Sequence, residues 1–129
     1  MSNLIYAELS DKILDAAFAV HKKLGEGLLE SAYEGAFAVE LRYFNVHVDR
    51  QVVYPLVYRD EYIGAYIADI VVANRIIVEI KAVSRLNIAM ESQVINYLKL
   101  SKLQVGYLIN FYNSSVQWRR FVNTREAAS

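Results

Sequence analysis

Residues 76–83 read IIVEIKAV. The run has the β-branched character of a buried strand, yet a carboxylate, Glu79, and an ammonium, Lys81, stand two positions apart inside it. Side chains alternate faces along a strand, so Glu79 and Lys81 share one face while Val78 and Ile80 share the other. A charge in such company is costly unless it is paired, hydrated or bound to a metal. Asp69 interrupts AYIADIVV in the same way. If the two segments form an antiparallel hairpin centred on Asn74, Asp69 stands opposite Glu79 on a shared face. That register needs an odd loop of about three or five residues, whereas a two-residue loop at Asn74-Arg75 would turn Asp69 to the other face. Two converging carboxylates repel, and a proton, a cation or a metal relieves them. Hard oxygen ligands suit Mg²⁺. Such an ion lowers the pKa of bound water and stabilises charge on a phosphoryl group. Lys81, two residues beyond Glu79, is placed to orient that water or steady the developing anion.

The surrounding pattern supplies the elements that would hold these groups. Ser10 is an N-cap candidate for a first helix, whose stripe is Ile13, Ala17, Val20 and Leu24, and Gly25 ends it. A second helix over 29–44 carries Tyr33, Phe37, Leu41 and Phe44, with Glu30 on the same core-facing side. From 46 the period changes to that of strands, over 46–58, 62–72 and 75–83, with turns at 59–61 and around Asn74. Apolar residues on both faces predict a sheet covered on both sides. Pro55 predicts that the first strand lies at an edge or carries a bulge. Asn87 caps a third helix, whose stripe of Met90, Gln93, Val94, Tyr97, Leu98 and Ser101 turns Gln93 inward. Two last strands cover 105–112 and 116–122, and the terminal TREAAS is expected to fray. The predicted order is ααβββαββ.

Composition narrows the function classes. A chain of 129 residues, 55% hydrophobic with one proline, suits one domain spanning 1–129 with a sizeable core. Cysteine is absent, which excludes disulfides, thiolate metal sites and thiol nucleophiles and fits a cytoplasmic protein. The opening MSNLIYAELSDK lacks the basic and apolar regions of a signal peptide, and no apolar run approaches the ~20 residues that span a bilayer. Basic and acidic residues balance at 14 each, so any nucleic-acid surface must be local rather than a broad basic field. Lys22-Lys23, Lys99 with Lys102, and Arg119-Arg120 read as solvated faces.

Each inward polar residue also has a plainer explanation. Glu79 and Lys81 would serve as an exposed salt-bridging face, Glu30 as a first-turn acid favoured by the helix dipole, and Gln93 as a partner for backbone. Of the ten tyrosines, Tyr54, Tyr58, Tyr62 and Tyr66 fall in sheet segments and read as packing rather than base-stacking groups. His21 reads as a buried, hydrogen-bonded histidine.

Asp69, nine intervening residues and then Glu79-x-Lys81, on a hairpin followed by a helix, resembles the PD-(D/E)XK nuclease superfamily. Val20-His21, the run from Leu24-Gly25 to Glu30-Ser31-Ala32-Tyr33, Gln93 with Tyr97-Leu98, and Gly106 to Phe111 look like the blocks of its bacterial GxxExxY group. The resemblance implies an α/β restriction-endonuclease-like core, a central mixed sheet flanked by helices. It implies a helix acid at Glu30, metal-binding carboxylates at Asp69 and Glu79, a catalytic lysine at Lys81 and a polar helix residue at Gln93. The ligand set expected for Mg²⁺, with Mn²⁺ as substitute, is Asp69, Glu79, the Ile80 carbonyl and Glu30. Two departures stand out: the superfamily's proline is Ala68 here, and Met90 occupies a position where many relatives carry histidine. The expected activity is phosphodiester hydrolysis of nucleic acid, DNA ahead of RNA. The competing expectation is a catalytically silent binding or regulatory module on the same fold. Cutting both strands of a duplex calls for a homodimer, with Tyr112, Trp118 and Phe121 offering a surface for it.

Overall fold

The computed structural model describes residues 5–123. Helix α1 (Ala7–Leu24) and helix α2 (Glu30–Tyr43) precede strands β1 (Val48–Tyr58), β2 (Glu61–Val72) and β3 (Ile76–Lys81). Helix α3 (Ile88–Ser101) follows, then β4 (Val105–Asn110) and β5 (Gln117–Val122), which is the expected ααβββαββ. The five strands lie in sequence order in one sheet. All neighbours are antiparallel except β3 and β4, whose parallel pairing requires the crossover that α3 provides.

The sheet separates two apolar layers. On one side Ile13, Ala17 and Val20 of α1 and Tyr33, Phe37 and Leu41 of α2 pack on Ile70, Ile76, Val78, Ile80, Tyr107 and Ile109. On the other side Tyr97 and Leu98 of α3 pack with Ala68, Val71 and Ile77. Gly106 lets α3 approach, because a Cβ there would lie 2.7 Å from Val94 Cγ1. The cap of α3 is as the sequence predicts: Asn87 Oδ1 accepts from Met90 N–H at 2.9 Å. Gly25, at φ 72°, closes α1.

Three expectations need correction. Ser10 is not a cap; it is buried one turn inside α1, and its Oγ has no hydrogen-bond partner. The apolar stripe runs back through Leu9 and Tyr6, so burial rather than capping sets where this helix begins. The sheet is covered on both faces only at its centre. Strand β3 pairs with Ile70, Val71 and Val72 alone, so the rest of β1 and β2 continues as a two-stranded ribbon, covered by α3 on one face as far as Tyr54 and Tyr66 and exposed beyond. Tyr54 and Tyr66 pack beneath α3, as expected, but Tyr58 and Tyr62 stand exposed on that ribbon. Pro55 does lie in an edge strand, while the extra bulge residue is Ile63 of β2. The expected fraying of TREAAS falls outside the described residues, and among those residues no helix is long and apolar enough to cross a membrane.

Candidate active site

The β2–β3 hairpin has the odd loop that the carboxylates require. Val72 pairs with Ile76 across residues 73–75, and Ile70 pairs with Val78, so the next position sets Asp69 opposite Glu79. There the regular ladder stops and side chains take over. Asp69 N–H donates to Glu79 Oε2 at 2.7 Å, and Ile80 N–H donates to Asp69 Oδ2 at 2.8 Å. The two acids are thus cross-tied through each other's strand. Each keeps its second oxygen free of any described donor.

Electrostatics make this pair demanding. Glu79 is only 2% exposed. Burial, reinforced by the Asp69 charge, pushes its carboxyl up to about 8, against the pull of the Asp69 amide and Lys81. Burial also raises Asp69, with the Ile80 amide and Lys81 opposing and the Glu34 and Glu30 charges adding. Lys81 donates to Gln93 Oε1 at 3.4 Å. The other end of that amide faces Tyr97 Oη at 3.2 Å, and Tyr97 donates to the Ile67 carbonyl at 3.1 Å. Burial and then the Glu79 and Asp69 charges push the Tyr97 phenol up to about 12, so it stays a donor.

Helix α2 contributes from the opposite layer. Tyr33 Oη donates to the Gly25 carbonyl at 2.6 Å and accepts from Leu28 N–H at 3.2 Å. Its ring stacks on Phe111 at 4.8 Å, which anchors the link leading to Glu30. Glu30 itself is exposed rather than core-facing, and its Oε2 accepts from Ala82 N–H at 3.4 Å, beside the end of β3. The buried acid of α2 is Glu34, 7% exposed and one turn further on. Arg50 pairs with it through Nε at 3.1 Å and Nη2 at 3.0 Å, and Gln51 Nε2 donates to both of its oxygens at 3.1 and 3.2 Å. His21 is half-buried and bonded through Nε2 to the Asn113 carbonyl at 2.7 Å, outside the carboxylate pair's own hydrogen bonds. Asn110, fully buried, ties Val83 to the end of β4 through both of its side-chain atoms, which fixes the segment beyond Lys81.

The fold therefore joins Asp69 with Glu79, places Lys81 with Gln93 on the α3 side, and leaves Glu30 at the rim. Among the described residues no three acids or histidines converge closely enough to form a metal cage of side chains alone. Two adjacent carboxylates with free oxygens, Glu79 buried and Asp69 half-buried, still fit a hard cation that completes its shell with backbone carbonyl and water. Glu34, Arg50, Gln51 and Tyr97 were not singled out as site residues from the sequence. Glu34 had a readable signal, since Glu30, Glu34, Phe37 and Leu41 follow one helical stripe. Tyr97 lay on the inward stripe of α3 but read as core. Arg50 and Gln51 had no signal.

A mixed sheet between helices, with an Asp on one strand, Glu-x-Lys on the next and an acid-bearing helix opposite, defines a restriction-endonuclease-like domain. The family model of the PD-(D/E)XK nuclease superfamily matches residues 7–121, and the chain belongs to that superfamily. Among solved structures it is similar to the crystal structure of SSO0001, with a TM-score of 0.56 and 18% identity over 95% of this chain and 63% of that one. That likeness carries the fold alone, and this chain spans less than two thirds of that chain's length. A comparison with curated proteins finds no match.

Proposed function

We infer that the chain is a divalent-cation-dependent phosphodiesterase acting on nucleic acid, DNA ahead of RNA, as one nuclease-like domain of the GxxExxY group. The observation that carries this reading is the Asp69–Glu79 pair: a buried acid cross-tied to a half-buried one, Glu79 raised to about 8, each with an oxygen left over. A bound Mg²⁺ or Mn²⁺ would relieve their repulsion and supply Lewis-acid polarisation of a phosphodiester. Ile80 offers the backbone ligand. Its N–H already points to Asp69, and in an extended strand the carbonyl of the same residue leaves by the same edge. Glu30 supports the site from the rim, within reach of a cation's water rather than in the pair. Lys81, oriented by Gln93 and through it by Tyr97, has the position and charge to orient the attacking water or to receive the developing anion. Cytoplasmic residence and a homodimer complete the reading. Tyr112, just past β4, and Trp118 on β5 are exposed, whereas Phe121 is partly claimed by the α3 layer, and the ribbon's exposed Val53, Val57, Ile63 and Ile67 offer a further apolar surface for a second copy.

Isothermal titration of Mg²⁺ and Mn²⁺ into wild type and Glu79→Ala, with cleavage assays on DNA and RNA duplexes and single strands, tests the function. The expected result is one cation site lost in the variant, together with metal-dependent cleavage. A wild type that binds nucleic acid but neither binds a cation nor cleaves is instead the silent module that the balanced net charge suits.

A further inference from the structure

Residues two apart on a strand share a face, yet both β1 and β2 break that rule at one level. On β2, Ile70 and Val72 pack under α1 and α2, whereas Ala68 packs with the α3 layer. On β1, Val48 packs under α1 and α2 and Arg50 reaches Glu34 of α2, whereas Val52 packs with the α3 layer. Both strands turn over between these positions. The rung at which they do so is Gln51 opposite Asp69, the one absent from the pairing between Arg50↔Ile70 and Val52↔Ala68.

Gln51 is where the turn is made. Its φ is 52°, in the left-handed region that a side-chain-bearing residue enters only at a cost. In an extended strand Arg50 and Gln51 would project to opposite faces. Here both reach the one carboxylate of Glu34, which takes three of their nitrogens. Glu34 is buried and fixed by Arg50, so it is the firm end of the contact and Gln51 the end that conforms. At that rung Asp69 lies between the layers, with its backbone N–H and carboxylate both turned to β3.

We propose that Glu34 and Gln51 are positioning residues that hold Asp69 in the plane of the sheet, against Glu79, by keeping the Gln51 backbone left-handed. The functional weight of this device rests on the cation reading of Asp69 given above, but its test need not. The Ile80 amide is the reporter, because its acceptor is the Asp69 side chain.

Amide hydrogen exchange of the metal-free protein is measured for wild type, Gln51→Gly and Gln51→Val. Neither variant keeps the side-chain amide, but glycine adopts a left-handed φ freely and valine resists it. Ile80 in Gln51→Gly is expected to keep wild-type protection, while in Gln51→Val it exchanges roughly tenfold faster or more, with Val78 and Leu108 unchanged. Should Gln51→Val not fold, Gln51→Ala against Gln51→Gly makes the same comparison. Wild-type protection of Ile80 in the valine variant, or in the alanine variant where that replaces it, overturns the proposal. So does equal loss in the glycine variant, which would assign the effect to the amide contact alone. Mg²⁺ affinity measured in parallel is expected to follow the Ile80 order. Absence of cation binding in every variant, with the exchange order as expected, removes the cation reading and leaves the positioning device standing.

Discussion

At its inner end the β1–β2 hairpin lies between two helical layers, with Ile70 and Val72 fully buried; at its outer end Val53, Val57, Ile63 and Ile67 stand in solvent. Both ends carry apolar, β-branched residues in sequence. What separates them is length: β3 has six residues and pairs with only the last three of β2, so the regular pairing with β3 stops where Asp69 begins, and beyond it α3 alone covers one face as far as Tyr54 and Tyr66. The carboxylate pair sits at that boundary. Further inward a charge would have no route to a cation, and on the ribbon it would be hydrated and unremarkable in its chemistry. At the boundary Glu79 is desolvated enough to be raised, while Asp69 beside it keeps partial exposure.

Substitutions on either side of the boundary sharpen the contrast. The largest effect is expected at Lys81→Ala, which should lower cleavage on the order of 10²–10³-fold while leaving cation affinity nearly intact, since an ammonium is no ligand. A rate unchanged from wild type would return Lys81 to a surface role and move the chemistry elsewhere.

Core packing is the next test. Ile70→Ala, at a fully buried position, should cost about 2–5 kcal/mol in urea unfolding. Ile63→Ala, at a position 60% exposed, should stay within about 0.5 kcal/mol for the monomer. Equal losses would mean that the ribbon is covered in solution, and light scattering would then show whether a second copy covers it.

The pH dependence follows from Glu79. Its carboxyl binds a proton more tightly in the folded state, at about 8, than in the unfolded chain near 4.5. The stabilisation is complete below about 4.5, and it is lost as pH rises through about 8. Metal-free thermal melts should therefore fall across that window, Mg²⁺ should restore stability at its upper end, and Glu79→Gln should flatten the profile. A melt that rises steadily from pH 5 to pH 8 would contradict the raised carboxyl.

The smallest effect is expected at Glu30→Gln. An acid in the first turn of a helix gains roughly 0.3–1 kcal/mol from the dipole. Removing a charge that also bears on Asp69 offsets that loss. The metal-free melt should rise slightly and the Mg²⁺-induced shift shrink. A lower melt with an unchanged shift would make Glu30 a helix-terminus residue and nothing more.

Much of this molecule was legible in the order of its residues. Asp69, Glu79 and Lys81 announced themselves because a charge inside a β-branched run has few explanations; the odd loop that lets the acids meet was permitted rather than forced, and the structure selects 73–75. Helix α3 was legible to its cap, since Asn87 and the inward stripe are local signals. The start of α1 and the fate of the ribbon were less so: Ser10 looks like a cap until the partial burial of Leu9 and Tyr6 outweighs it, and no local pattern says how far β3 will extend. Residue order alone determined the strand and helix periods and marked Asp69 and Glu79 as exceptions within their strands, because these signals depend on neighbours within a few positions. Only the tertiary structure decided that Glu34 rather than Glu30 is the buried acid of α2, that Arg50 and Gln51 converge on it, and that both strands turn over at Asp69. Those outcomes depend on which layers meet across the sheet, and a left-handed glutamine held by a carboxylate 17 positions away leaves no trace in local propensity.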